Sequence, residues 1–212
     1  MSRILVFANG DLPDLEKARA LIRMDDFIIC ADGGTRHALA LGLTPDLVIG
    51  DMDSLTTDDR RKIEDAGVEA VEFPRDKNET DLELALQYAL KKNPQAILII
   101  AALGGRLDQT LGNLSLLSNV QLSTLNLKFD DGLEEIFFCR NRSEVRGRSG
   151  DLVSLIPWRE KVEVVQTKNL KWSLHDEILY PEKTRGISNE MTADIANIEI
   201  KSGLLLVVHR RQ

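Results

Sequence analysis

Acidic residues are the part of this 212-residue chain best equipped for chemistry. Asp11, Asp32, Asp51, Asp53, Asp76, Glu79, Asp81 and Asp108 recur after successive apolar runs. Carboxylates brought to one place repel by roughly 3 kcal/mol per pair at about 5 Å with an effective dielectric near 20. A bound divalent cation would offset that repulsion. No Cys or His cluster accompanies the acids, and hard oxygen donors favour Mg²⁺ over zinc or copper. Magnesium in turn points to a polyphosphate.

Four motifs carry the acids. Asp32-Gly33-Gly34 precedes Thr35, a residue suited to capping a helix, and its glycines let backbone approach a ligand. In Gly50-Asp51-Met52-Asp53-Ser54 the alternate carboxylates of an extended segment point the same way and can share a cation. Arg75-Asp76-Lys77-Asn78-Glu79-Thr80-Asp81 interleaves acids for a metal with cations for phosphate oxygens. Gly104-Gly105-Arg106-Leu107-Asp108 opens a helix whose amides attract anions, with Arg106 as a charged fork and Asp108 as a metal ligand or simply a cap.

The elements that position these motifs follow from hydrophobic periodicity. Runs at Ile4 to Phe7, Phe27 to Ile29, Leu47 to Ile49, Val68 to Phe73 and Ala96 to Leu103 read as strands. They alternate with helical patterns at Leu15 to Met24, Thr35 to Leu41, Thr80 to Lys92 and Asp108 to Leu117, which predicts a mostly parallel sheet. Thr80 and Glu83 fit a capping box. Ligands of open α/β sheets bind beyond the carboxyl ends of the strands, where the acids lie. The later chain reads as short antiparallel strands: Glu135 to Cys139, Leu152 to Ile156, Lys161 to Gln166, Ile195 to Lys201 and Leu204 to His209. The expected fold is a three-layer α/β/α domain over residues 1–125, followed by a small antiparallel β-sandwich over residues 126–212.

Charge narrows the partners. Through Leu125 there are 20 acidic and 13 basic residues, whereas the remainder carries 14 of each, so the acidity belongs to the first part. This balance argues against nonspecific nucleic-acid binding, which needs cations on phosphates. Nor is there a basic amphipathic helix or an apolar run long enough for a membrane. The N-terminus lacks the pattern of a secretion signal, and two isolated cysteines, Cys30 and Cys139, suit a reducing cytoplasm. His37, His175 and His209 are scattered and read as structural or surface residues. Arg140, Arg142, Arg146 and Arg148 read as a charged hairpin. No P-loop, G-x-G-x-x-G or G-x-S-x-G pattern occurs.

Taken in order, the four motifs resemble the thiamine pyrophosphokinase family. Ser154-Leu155-Ile156-Pro157, Leu170-Lys171-Trp172 and Gly186-Ile187-Ser188-Asn189-Glu190 resemble that family's thiamine-binding β domain. The resemblance implies transfer of pyrophosphate from ATP to the hydroxyl of thiamine, giving thiamine diphosphate and AMP. It assigns Mg²⁺ to Asp51, Asp53, Asp81 and Asp108, with Asp32 nearby. Asp32, Gly33, Gly34, Lys77, Thr80 and Arg106 fall to the nucleotide, and Ser188 and Asn189, with Trp172 as a weaker candidate, to thiamine. It also implies a homodimer with thiamine at the subunit interface. The chain departs from the family at Gln109, where His is usual, and at Asn78, where an acid is common. The rival readings are a pyrophosphokinase acting on a hydroxymethyl pterin and a sensor that binds Mg-nucleotide or thiamine diphosphate without turnover.

Overall fold

The computed structural model describes residues 3–212, which divide into two compact units meeting after Asp131. The first holds six strands, β1 (Arg3–Phe7), β2 (Phe27–Ala31), β3 (Leu47–Gly50), β4 (Glu69–Glu72), β5 (Ala96–Ile100) and β6 (Asn126–Asp130). Between them run five helices, α1 (Leu15–Arg19), α2 (Thr35–Ala40), α3 (Thr57–Asp65), α4 (Asp81–Lys91) and α5 (Leu107–Leu117). The strand order is β6-β5-β1-β2-β3-β4, parallel throughout. A boundary at residue 125 would cut β6 away from the sheet it completes by pairing with β5.

Alternation along the strands builds the three layers. Leu5, Phe7, Ile28, Cys30, Val48, Leu98 and Ile100 form one apolar face with Ala38 of α2, Leu41 just after it and Ile63 of α3. The intervening residues Ile4, Val6, Ile29, Leu47, Ile49, Ile97 and Ile99, also buried, occupy the opposite face. There α4 crosses β1, β2 and β3 and buries Leu82, Leu84, Ala85, Leu86 and Ala89. The chain runs from β1 outward to β4 on one side and returns to β5 and β6 on the other. That reversal between β1 and β5 leaves a crevice at the carboxyl edge.

The second unit contains β7 (Glu134–Cys139), β8 (Arg142–Arg146), β9 (Leu152–Pro157), β10 (Val162–Lys168), β11 (His175–Leu179), β12 (Asn189–Glu190), β13 (Ile195–Ser202) and β14 (Leu205–Arg210). They form two antiparallel sheets, β12-β9-β14-β7 and β11-β10-β13-β8. Val153, Leu155, Val207, Val164, Ile198 and Ile200 fill the core between them.

Several elements differ from expectation. Helix α1 stops at Arg19 rather than near Met24, because Asp26 accepts the Arg23 amide and pairs with Arg3 at 2.6 Å, fixing a turn instead. Strand β5 ends at Ile100, since Ala101 takes a left-handed backbone with φ +57°. Helix α3 is absent from the sequence reading: it buries only Ile63 and shows no apolar stripe. Among the described residues no helix is long and apolar enough to cross a membrane.

Candidate active site

Strands β2, β3 and β5 of the first unit run into backbone with positive φ. Asp32 follows β2 with φ +43°, and Thr35 Oγ donates to its carbonyl at 2.8 Å, closing the turn. A β-carbon on Gly33 would meet the Asn9 side chain at 2.5 Å, and one on Gly34 would meet the Phe7 carbonyl oxygen at 2.1 Å. Both glycines therefore let the turn pack against the end of β1. Neither lines the cleft directly, and the pair sets the course of the turn that carries Asp32 into it.

Beyond β3, Gly50 has φ +149° and Met52 has φ +59°. Met52 is buried, and the Asp53 amide donates to Asp51 Oδ1 at 3.2 Å, so a turn and not the extended segment expected from the sequence brings the two acids together. Single oxygens of Asp32, Asp51 and Asp53 all lie within 4.8 Å of one another. Asp32 is 4% exposed, and its Oδ1 is enclosed without a hydrogen-bond partner. A buried carboxylate oxygen is costly unless something offsets it. Three carboxylates, one of them with an orphaned oxygen, fit a magnesium-like cation.

Helix α4 brings the fourth acid. Thr80 caps it by accepting the Glu83 amide at 3.2 Å, which sets Asp81 in the first turn. Lys77 Nζ lies 3.0 Å from Asp81 Oδ1 and 3.8 Å from Asp51 Oδ2. Burial raises the Asp81 carboxyl above the usual range, and the charges of Asp32 and Asp51 push the same way while Lys77 opposes them. Arg75 reaches Asp53 at 3.4 Å.

The loop after β5 closes the cleft. Gly104 and Gly105 take φ +86° and +64°, and the Gly105 amide donates to Asp11 Oδ2 at 3.0 Å. A β-carbon on Gly104 would lie 2.2 Å from that same oxygen, so only glycine passes here. The resulting cleft, about 540 Å³, is lined by Asp11, Asp32, Asp51, Asp53, Asp81 and Lys77, with Thr80, Arg36, Arg75, Arg106, Gln109 and Asn113 around them.

Asp108 does not join this group. Its carboxylate accepts from Arg106 Nε at 3.1 Å on the surface and does not line the cleft. The Arg106 guanidinium holds it below the usual carboxylate range. Sequence reasoning missed Asn9, Arg36 and Asn113. Asn9 reads as an ordinary turn residue, and Asn113 lies inside α5, where it donates to the Ala102 carbonyl at 2.7 Å. Arg36 did carry a signal, a cation in the first turn after Asp32-Gly33-Gly34.

In the second unit Trp172 is half exposed, with Lys171 Nζ 5.1 Å from its ring centre and paired to Glu190 at 2.9 Å. Asn189 is buried. Its Oδ1 accepts the Trp172 amide at 3.0 Å and the Glu190 amide at 2.9 Å, while its Nδ2 donates to the Trp172 carbonyl at 2.8 Å. These bonds hold the Trp172 backbone in place. Ser188 is exposed at φ +55°, and its amide donates to Ser154 Oγ at 3.0 Å. His209 is enclosed between Asp151 and Glu135, His37 holds the Gly10 carbonyl at 2.9 Å, and His175 is exposed. A further hollow of about 570 Å³ lies on β8, β10 and β13, where Arg142 and Gln166 both engage Glu199.

The model of the thiamin pyrophosphokinase catalytic domain matches residues 18–129, and that of the thiamin pyrophosphokinase vitamin B1 binding domain matches residues 141–205. Thiamine pyrophosphokinase of Bacillus subtilis is 30% identical over 182 residues, covering 85% of each chain. Thiamine pyrophosphokinase 1 of Arabidopsis thaliana is 28% identical, covering 85% of this chain and 76% of its own. The crystal structure of the Bacillus subtilis protein superposes with a TM-score of 0.88 at 27% identity over the whole of both chains. With its acidic cleft and both domain models in place, the chain belongs to the thiamine pyrophosphokinase family.

Proposed function

We propose that this protein is a thiamine pyrophosphokinase, transferring the terminal pyrophosphate of ATP to the hydroxyl of thiamine. The observation that carries the reading is the meeting of Asp32, Asp51 and Asp53 within 4.8 Å, beside Lys77 and Asp81. The family of the relatives supports the same activity over a hydroxymethyl pterin kinase or a silent sensor.

In this reading the thiamine oxygen bonds to the β-phosphorus, the link from the α-phosphorus to the β-phosphorus breaks, and the bridging oxygen leaves on AMP. Asp51 or Asp81, whichever carboxylate stays off the metal, would take the hydroxyl proton, although a dissociative transition state asks little of a base. Lys77 and Arg106, with Arg36 and Arg75 around the same cleft, take phosphate oxygens. Asp32, Asp51 and Asp53 would hold a magnesium ion, which would supply positive charge against the triphosphate. Asp108, paired with Arg106 on the surface, is not part of this set.

The first unit is the ATP half and the second the thiamine half. Trp172, fixed by Asn189, offers an aromatic face to a cationic substrate, and Ser188 offers an exposed hydroxyl. A two-fold dimer with thiamine at the subunit interface belongs to the same reading. Its support is the apolar surface left exposed at Leu107 and Leu111 in the first unit and at Trp172, Ile178, Tyr180 and Ile187 in the second. The free, buried thiols of Cys30 and Cys139 suit a cytoplasmic location.

The test is substrate choice. AMP should form from ATP with thiamine and Mg²⁺ and not with a hydroxymethyl pterin; AMP formed with the pterin and not with thiamine would overturn the assignment.

A further inference from the structure

The cations nearest the carboxylates belong to the segment between β4 and α4. Lys77 is the enclosed one: its side chain is 12% exposed, and its ammonium spans Asp81 and Asp51. Arg75, 85% exposed, touches Asp53 from the surface. Asp51 thus belongs to two arrangements, the ion pair with Lys77 and the cluster with Asp32 and Asp53. An ammonium already seated on Asp51 repels a divalent cation arriving at the same carboxylate.

We propose that Lys77 is a resident counter-cation that holds the empty carboxylates together, opposes metal binding by the protein alone, and leaves Asp51 for phosphate oxygens when a nucleotide arrives. This rests on the reading of the cleft as a metal-polyphosphate site. Without a polyphosphate, a metal at Asp51 removes one of the two carboxylate partners of an enclosed ammonium and leaves it only Asp81. With one, the ammonium gains anionic partners as the metal gains Asp51. Metal and nucleotide therefore raise each other's affinity through Lys77, and by linkage the two effects are equal. The segment from Arg75 to Asp81 would make the site receptive to a metal-nucleotide pair and poor at collecting metal alone.

The experiment measures Mn²⁺ binding from the electron paramagnetic resonance of the free ion, with wild type, Lys77→Met and Lys77→Arg. Each is titrated alone and with α,β-methylene ATP, whose scissile position cannot be broken. Lys77→Met should bind Mn²⁺ alone about tenfold tighter than wild type, a shift of about 1.4 kcal/mol. Its gain on adding the nucleotide should fall by a similar factor, and Lys77→Arg should follow wild type. Equal or weaker Mn²⁺ binding by Lys77→Met alone overturns the exchange, while the metal-nucleotide reading survives if Mn²⁺ still binds with the analogue. Failure of wild type to bind Mn²⁺ even with the analogue overturns both. Lys77→Gln carries the same expectations where Lys77→Met does not fold.

Discussion

Gly50 runs so close to Asp32 that a methyl group on it would sit 2.8 Å from the Asp32 β-carbon, and 3.0 Å from Asp81 Oδ1. This glycine therefore sets the spacing of two acids that come from different elements. Gly50→Ala should cost about 1–3 kcal/mol of stability, through its φ of +149° and the overlap. Displacing both carboxylates should also lower kcat on the order of 100-fold. Urea unfolding alongside steady-state kinetics checks both; unchanged kcat in a folded variant would contradict the packing.

Asp32 offers a sharper separation of stability from activity. Its Oδ1 is buried without a partner beside other carboxylates, so Asp32→Asn removes a charge that costs the empty protein free energy. The variant should melt higher in EDTA, by roughly 0.5–2 kcal/mol in stability. It should lose at least about 100-fold in Mg²⁺-dependent turnover. A lower melting temperature would mean that Asp32 is a structural acid.

Asp53→Asn and Asp81→Asn act at a half-open cleft and should leave stability within about 1 kcal/mol of wild type while abolishing turnover. Thermal melts and AMP release measured on the same preparations decide it. Parallel loss of both properties would place these residues in the fold rather than the chemistry.

Much of this architecture was readable from the sequence because its signals are local. Apolar runs followed by acids, and Thr80 with Glu83, announce strands and a helix start without tertiary information, and the parallel sheet and the Thr80 cap are found. Helix α3 was illegible because a charged helix burying a single isoleucine has no stripe to detect. Which acids converge was harder. Asp108 has the same type and placement after a strand as Asp51, yet in the fold its carboxylate takes the Arg106 guanidinium and the Gln109 amide on the surface. Asn189 likewise reads as a polar donor; its burial under the Trp172 backbone depends on the isolated bridge between Leu170 and Met191 and the pairing of β12 with β9.

Asn189 should consequently act through Trp172. Asn189→Ala should raise the KM for thiamine about tenfold and leave that for ATP within about twofold, since a hydrogen bond of this kind contributes roughly 1 kcal/mol and a buried partner left unmade costs more. Fluorescence of Trp172 in a Trp158→Phe background should change with the same substitution. A rise in the KM for ATP alone would place thiamine elsewhere.

His209 gives the second unit a pH dependence. Burial works against its charge, but hydrogen bonds to Glu135 at 3.4 Å and Asp151 at 2.9 Å prevail and raise its pKa above the ordinary imidazole value. Asp151 is lowered: burial opposes this, and the Gln212 amide, His209 and the Arg148 amide outweigh it. A raised folded pKa gives stability that is full below the unfolded value, about 6.5, and is lost as pH climbs through the folded one. The Asp151 share is lost in acid instead. His209→Ala should cost about 3 kcal/mol near neutrality, by leaving the carboxylates without their shared cation. It should also flatten the alkaline limb in urea unfolding, and an unchanged limb would contradict the pairing.

The most direct measurement is phosphorus NMR of a reaction containing ATP, thiamine and Mg²⁺, run with wild type and Asp53→Asn. Wild type should yield AMP and thiamine diphosphate in equal amounts, with no ADP, and should stop when thiamine or Mg²⁺ is withheld; Asp53→Asn should yield neither product. ADP in place of AMP, or no turnover under any divalent cation by a protein that binds both substrates, would contradict pyrophosphate transfer at this cleft.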